Sequence, residues 1–381
     1  MLLQIVHASA DALLVPEEYR TIGEAIAAAE DGDVIQVGPG VFYENLYVAN
    51  KQIAIRGEET NGVTVIDGSN AENDFSSCFV VGAGSEFSGP TTLILNAVVL
   101  RNGRGSNVYG IRRGGGIYIE YAEVSLADVV IENCSVELNE FGQDTWGGAV
   151  CNYSGVVNAN NCIFRNNSSE GKGGAIWSSF GSVTVTDSAF AQNQAARGGG
   201  VYLEGGIASI NGTSFCGNTA LEWGGGICSN DFGDSGEIFV EACRFDSNSA
   251  EYGAAIWFDL MSAFLGETDF AQNTAATGDG AIHIVKNKAS DPVLLDGNSF
   301  CGSTDSHIAG GGAWKEVQPN TFQAQCPQPG DFDDDGSISG ADLTVLLSSW
   351  GSNGLPYGAD LNCDGIVDGG DLTILLGNWS L

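Results

Sequence analysis

The sequence predicts an all-β body, a parallel β-helix, followed by a small α-helical domain. Three observations carry that prediction. A Phe-x-x-Asn unit recurs every 25 to 30 residues through the middle of the chain. Short β-branched runs fill each unit without helical spacing. Residues 329–381 hold two copies of one acidic loop pattern, 29 residues apart.

Composition sets the frame. Of 381 residues, 55 are Gly and 8 are Pro, which describes a turn-rich folded chain rather than a disordered one. The formal net charge is −34, and no Lys, Arg or His follows Lys315. That balance disfavours nucleic acid and anionic membranes as partners. An acidic polysaccharide would be repelled unless calcium bridged it. No stretch approaches the ~18 consecutive apolar residues of a membrane-spanning helix.

The first residues are ambiguous. Leu2, Leu3, Ile5 and Val6 precede a small-x-small site, Ala8-Ser-Ala10, with no basic residue ahead of them. Residues 1–15 are read as the remnant of a signal peptide that starts upstream, or else as an ordinary frayed terminus. The first of these implies an extracellular or cell-surface protein. Thr21-Ile-Gly-Glu24 is a capping-box sequence, and Ile22, Ala25, Ile26 and Ala29 give the helix it opens an apolar face. Runs at 31–37, 41–45 and 51–57 follow, with Gly38-Pro-Gly40 between the first two. This segment resembles the start of pectin-lyase-like right-handed β-helices, where a helix plugs the open end of the core. The resemblance implies the right hand; spacing does not.

The body is expected over 16–315. Phe164, Phe190, Phe215, Phe245, Phe270 and Phe300 mark successive units. Asn167, Asn193, Asn218, Asn248 and Asn273 follow three residues after the first five. A Gly-rich turn then leads to Ile176, Val201, Ile227, Ile256 and Ile282. Looser copies lie upstream, with Asn102 and either Asn133 or Asn139 as the matching Asn. Stacked at about 4.8 Å per coil, identical positions form columns: Phe and Ile inside, Asn bonding from coil to coil or turning left-handed. The Phe-x-x-Asn and Gly-Gly-Ala-Ile pair resembles the repeat of the chlamydial polymorphic outer membrane proteins, over about 95–305.

One column invites a binding reading. Tyr118, Cys151, Trp177, Tyr202, Cys228, Trp257 and His283 each follow the buried aliphatic residue, so strand alternation points them outward. Tyr118, Trp177, Tyr202 and Trp257 could then stack on sugar rings, with Trp146 and Trp223 extending the platform. Alternatively, neighbouring segments cover them. Catalysis has no specific signature. Polygalacturonase-like motifs Gly-His-Gly and Arg-Ile-Lys are missing, and Asp334-Asp335 belongs to an acidic loop. Arg112-Arg113 is the one adjacent basic pair. Catalytic residues are therefore unknown, and a polysaccharide lyase or glycoside hydrolase on the same β-helix is the alternative to a non-catalytic scaffold.

Ten cysteines offer same-column pairs three coils apart: Cys151 and Cys228, Cys162 and Cys243, Cys216 and Cys301. Roughly 14 Å by strand spacing is too far to bridge. These are expected as packed thiols. Cys301 and Cys326, flanking the segment after the last coil, are the expected disulfide.

After a linker at 316–328, the C-terminal domain is expected over 329–381. Its first loop places Asp331, Asp333, Asp335, Ser337, Ser339 and Asp342 at positions 1, 3, 5, 7, 9 and 12. The second places Asp360, Asn362, Asp364, Ile366, Asp368 and Asp371 there, position 7 contributing a carbonyl. Gly336 and Gly365 stand at position 6. Each loop runs into an apolar stripe: Leu343, Leu346, Leu347 and Trp350, then Leu372, Leu375, Leu376 and Trp379. About two Ca2+ ions are expected. Asp at position 12, and no helical segment ahead of either loop, do not suit an EF-hand. They resemble the dockerin type I domain, which implies an attachment module with a protein partner. That family's cohesin-selecting positions hold Gly340-Ala341 and Gly369-Gly370, so the resemblance supports the metal sites more than cohesin recognition.

Overall fold

The computed structural model describes residues 12–380, apart from 59–61, 70–75, 83–88, 109, 139–143, 231–235, 279, 288–290, 303–306 and 356–357. One coil shows how the body is built. The chain passes through Ile176–Ser179, Ser182–Thr186, Ala189–Ala191 and Gln194–Arg197, then meets its own start at Val201–Glu204. Ile176 pairs in parallel with Val201, Val183 with Ala208, and Phe190 with Phe215. Repetition gives stacked parallel sheets of 12, 11, 10 and 6 strands, the arrangement of a parallel β-helix. Each corner is turned by one left-handed residue: Phe180, Asp187, Gln192 and Gly198 in this coil. The last of these corners requires glycine. A Cβ on Gly173 would lie 2.4 Å from the Ile176 carbonyl oxygen, and the same clash recurs at Gly147, Gly198, Gly224 and Gly253.

Inside, Ile117, Val150, Ile176, Val201, Ile227, Ile256 and Ile282 are fully buried in one column. The Phe column stacks face to face from Phe164 to Phe322, with ring centroids 4.6–5.2 Å apart. Asn167, Asn193, Asn218, Asn248 and Asn273 form a buried ladder. Each of the first four donates its side-chain N–H to the Oδ1 of the next at 2.9–3.1 Å. Asn193, Asn218, Asn248 and Asn273 also donate to the carbonyls of Phe164, Phe190, Phe215 and Phe245. These ladder residues are not the left-handed ones; that role falls to the preceding Asn166, Gln192, Gly217, Ser247 and Gln272. The upstream match is also different. Cys134, not Asn133, donates its backbone N–H to Asn167 Oδ1, so a cysteine heads the ladder. Asn139 lies outside the described residues.

Helix α1 (Ile22–Ala28) buries Ile22, Ala25 and Ile26 against the first coils. Thr21 caps it, but the capping box is half formed: Glu24 accepts from Arg20 N–H, not from Thr21. Glu44 accepts from the N–H groups of Ile22 and Gly23, and Lys51 Nζ donates to carbonyls at the other end. A carboxylate at the N-terminus and an ammonium at the C-terminus both complement the helix dipole.

The body extends beyond its expected limits. Ala12–Val15, expected in the leader, pairs with Val34–Val37 and buries Leu13 and Val15; residues 1–11 lie outside the described ones. Trp314–Gln318, which straddles the expected end of the body, and Thr321–Gln323, expected in the linker, add one more partial coil. Both extensions follow from the same cause: a stacked sheet offers unpaired N–H and C=O groups at each end, and adjoining chain satisfies them.

Helices α2 (Gly340–Ser348) and α3 (Gly369–Gly377) form the C-terminal unit. Its core is Ile338, Leu346, Ala359, Val367 and Leu375, with Leu343 and Leu372 partly buried. The expected stripes are only partly used, because Leu347, Trp350 and Leu376 are about half exposed. Among the described residues, no helix is long and apolar enough to cross a membrane.

Candidate functional site

The two acidic loops fold alike because their sequences make the same local bonds. In the first, Asp331 accepts from the N–H groups of Asp335 and Gly336 at 3.2 and 3.0 Å. In the second, Asp360 accepts from Asp364 and Gly365 at 3.1 and 2.9 Å. Asp342 accepts from Phe332 and Ser339, and Asp371 from Leu361 and Asp368. Ser339 and Asp368 cap the helices that follow, each in a complete capping box. Asp334 and Cys363 are left-handed at position 4, as are Gly336 and Gly365 at position 6. In the first loop this backbone brings the side chains at positions 1, 3 and 5 together.

Carboxylate oxygens of Asp331, Asp333 and Asp335 lie within 4.8 Å of one another. Hard oxygen donors at that spacing suit a cation such as calcium. The position-12 carboxylates of Asp342 and Asp371 are fully buried beneath the loops. Burial pushes the Asp342 carboxyl up, but amide donors from Ser339 and Phe332 outweigh it, so its pKa falls below the usual value. Asp360 goes the other way. Burial, with repulsion from Asp371 and Asp364, exceeds the amide bonds and pushes it up to about 7. Among the described residues no basic side chain follows Lys315 to offset this charge, and calcium chemistry would do so.

The outward aromatic column is not an open platform. Tyr118, Trp177, Tyr202 and Trp257 are 1–5% exposed, and Cys151 and Cys228 are fully buried. Alternation does point them away from the inner core, as the register Cys151–Trp177–Tyr202–Cys228–Trp257 requires. The six-stranded sheet and its flanking residues then cover them. Trp146 stacks on Trp177 at 4.6 Å, and Trp223 on Trp257 at 4.8 Å. Arg113, Lys172 and Arg197 lie over the rings of Trp146, Tyr202 and Trp223 at 4.4, 5.2 and 4.3 Å. Lys172 and Arg197 are anchored by Glu204 and Glu222. The column is thus a second apolar layer, and its sugar-contact reading fails for lack of exposure. Arg113 is absorbed in that layer, buried over the Trp146 ring.

Cys301 and Cys326 are disulfide-bonded, as expected. Cys151, Cys162, Cys228 and Cys243 are buried free thiols. Cys216, expected as a packed thiol, instead bonds to Cys363 in the second acidic loop. Sequence reasoning missed that pair because nothing in either repeat sets the body and the C-terminal unit face to face.

Comparison with known proteins agrees with this architecture. Residues 161–179 and 212–230 match the Chlamydia polymorphic membrane protein repeat. Both matches run from the corner before a Phe of the inner column, Phe164 or Phe215, to the next inner strand. The chain is also similar to a metabotropic glutamate receptor-like protein R of Dictyostelium discoideum, 25% identical over 195 residues. That stretch covers 50% of this chain and 11% of the relative.

Proposed function

We propose that this is a surface-associated, non-catalytic β-helix scaffold whose C-terminal unit binds two Ca2+ ions and serves as its attachment or stabilising module. The repeat match supports the surface setting, since that repeat is named for membrane proteins of Chlamydia. The observation that carries the calcium reading is the duplicated loop, which reproduces one set of backbone bonds around converging carboxylates. Asp331, Asp333, Asp335, Ser337, Ser339 and Asp342 form one candidate ligand set. Asp360, Asn362, Asp364, Ile366, Asp368 and Asp371 form the other. The dockerin-like sequence supports an attachment role. The exposed Leu347, Trp350 and Leu376 are an apolar surface fit for a protein partner.

Calorimetric titration of the full chain with CaCl2 tests this. Two ions per chain are expected, with Asp335→Ala removing the first site and sparing the second. A chain that takes up no calcium refutes the reading. Turnover of a polysaccharide by the same preparation would favour the enzyme alternative instead.

A further inference from the structure

The two loops are alike in sequence but stand in different surroundings. At position 4 the first has Asp334 and the second has Cys363. Cys363 is bonded to Cys216 on the outer side of strand Ser214–Cys216, with the Cα atoms 5.2 Å apart. Gln192 Nε2 donates to the Asn362 carbonyl at 3.3 Å, and Asn353 Nδ2 donates to the carbonyls of Ser188 and Gly212 at 3.1 Å. Gly365 lies so close to the body that a Cβ there would sit 2.8 Å from Ile163 Cγ2 and 3.4 Å from Ala189 Cβ. The receiving surface is made of small outward residues, Ala189, Ala191 and Ser214, which are nevertheless buried. Among the described residues the first loop has no such bond to the body: Asp333 and Asp335 are exposed, and a Cβ on Gly336 would meet nothing within 4 Å.

We propose that the second loop is a coupling site: its calcium and its docking on the body's outer face, fixed by Cys216–Cys363, strengthen each other, while the first loop binds calcium independently. This rests on the reading of both loops as calcium sites. The physical argument is linkage. A cation selects the loop conformation that brings Asp360, Asn362 and Asp364 together. Docking selects that same conformation, because it grips positions 3, 4 and 6 of the loop. Each event then meets a loop already ordered by the other, and the effect is reciprocal. The bond keeps the loop beside its surface at high effective concentration.

The test uses the full oxidised chain with CaCl2 as the probe. Asp364→Ala and Asp335→Ala assign the two sites by calorimetry. Cys216→Ser should weaken the site that Asp364→Ala removes by roughly tenfold, within the usual range of coupling, and leave the other unchanged. Hydrogen exchange should slow in Ala189–Ala191 and Ser214–Cys216 when calcium is added, in the parent chain and in Asp335→Ala but not in Asp364→Ala. If Cys216→Ser does not fold, mildly reduced parent protein with intact strand signal in circular dichroism takes its place, alongside Cys301→Ser, which should bind like the parent. Two calcium sites with affinities indifferent to the bond, or protection confined to residues 329–380, overturn the coupling and leave the calcium reading intact. No calcium uptake by the parent overturns both.

Discussion

Two aromatic columns run along the body, the Phe column inside the coil and the Trp–Tyr–Cys column on its outer side, and both are dry. They reach that state differently. The Phe rings from Phe164 to Phe300 are enclosed by the coil itself and stack on one another. The outer rings are enclosed by a strip of neighbouring chain, which lays Trp146 and Trp223 across them and roofs them with Arg113, Lys172 and Arg197. An outward position on a β-helix is therefore not an exposed one when the preceding corner is a tight glycine turn.

Side-chain truncation gives the largest effects. Phe215→Ala should cost about 3–5 kcal/mol in urea unfolding, and Trp177→Ala about the same, since both are buried. A Trp177→Ala penalty under about 1 kcal/mol would reopen the outer layer to solvent and restore it as a candidate contact surface.

High pH should separate the two columns. Burial, then the neighbouring Cys228 and Glu204, pushes the Tyr202 phenol far above its ordinary 10.0, and burial does the same to Tyr118. A pKa raised in the folded state means stability that is fully present below about pH 10 and lost as pH climbs toward the folded value. Absorbance at 295 nm should show these two phenolates appearing only as the protein unfolds. Their reversible ionisation in folded protein would mean the roof is open. The Phe column has no such group, so Tyr118→Phe with Tyr202→Phe should flatten this part of the pH dependence.

Smaller effects test the roof itself. Arg197→Met keeps much of the stem but loses the cation over Trp223, and should cost about 0.5–2 kcal/mol. Under native conditions a maleimide should leave Cys151 and Cys228 unmodified; rapid labelling of either would show that the outer layer breathes more than its packing implies.

Much of the body was legible because a stacked coil writes its register directly into the sequence. Phe190 and Phe215 are 25 residues apart and are also in contact. The aliphatic and Asn columns were read the same way, and α1 was found from its cap and apolar spacing. Legibility failed where a residue's fate depends on a non-adjacent segment. Alternation told that Trp177 leaves the inner core but not that Trp146, from the preceding coil, would cover it. The two acidic loops of the C-terminal unit were legible from their repeated spacing, which also sets their matching backbone bonds. Their docking on the body was invisible, since Cys216 sits in an ordinary Phe-flanking position and Cys363 in a place where loop position 4 tolerates many residues.

The distances along the chain between bonded partners also set an order of assembly. Each coil closes on its neighbour over a short stretch of chain, from 20 residues (Ile35 to Ile55) to 40 (Ile53 to Leu93), so the body can wind up progressively as it is made. Cys301 can find Cys326 after 25 further residues, but Cys216 must wait 147 residues for Cys363. During that interval several more coils are completed, and the thiol of Cys216 stands on a finished surface facing outward. The last contact to form is thus made between two structures that are already folded. An error there would leave a sound β-helix with its C-terminal unit adrift, or joined to Cys216 of another copy, and such a covalent dimer is the product to look for when expression outruns oxidation.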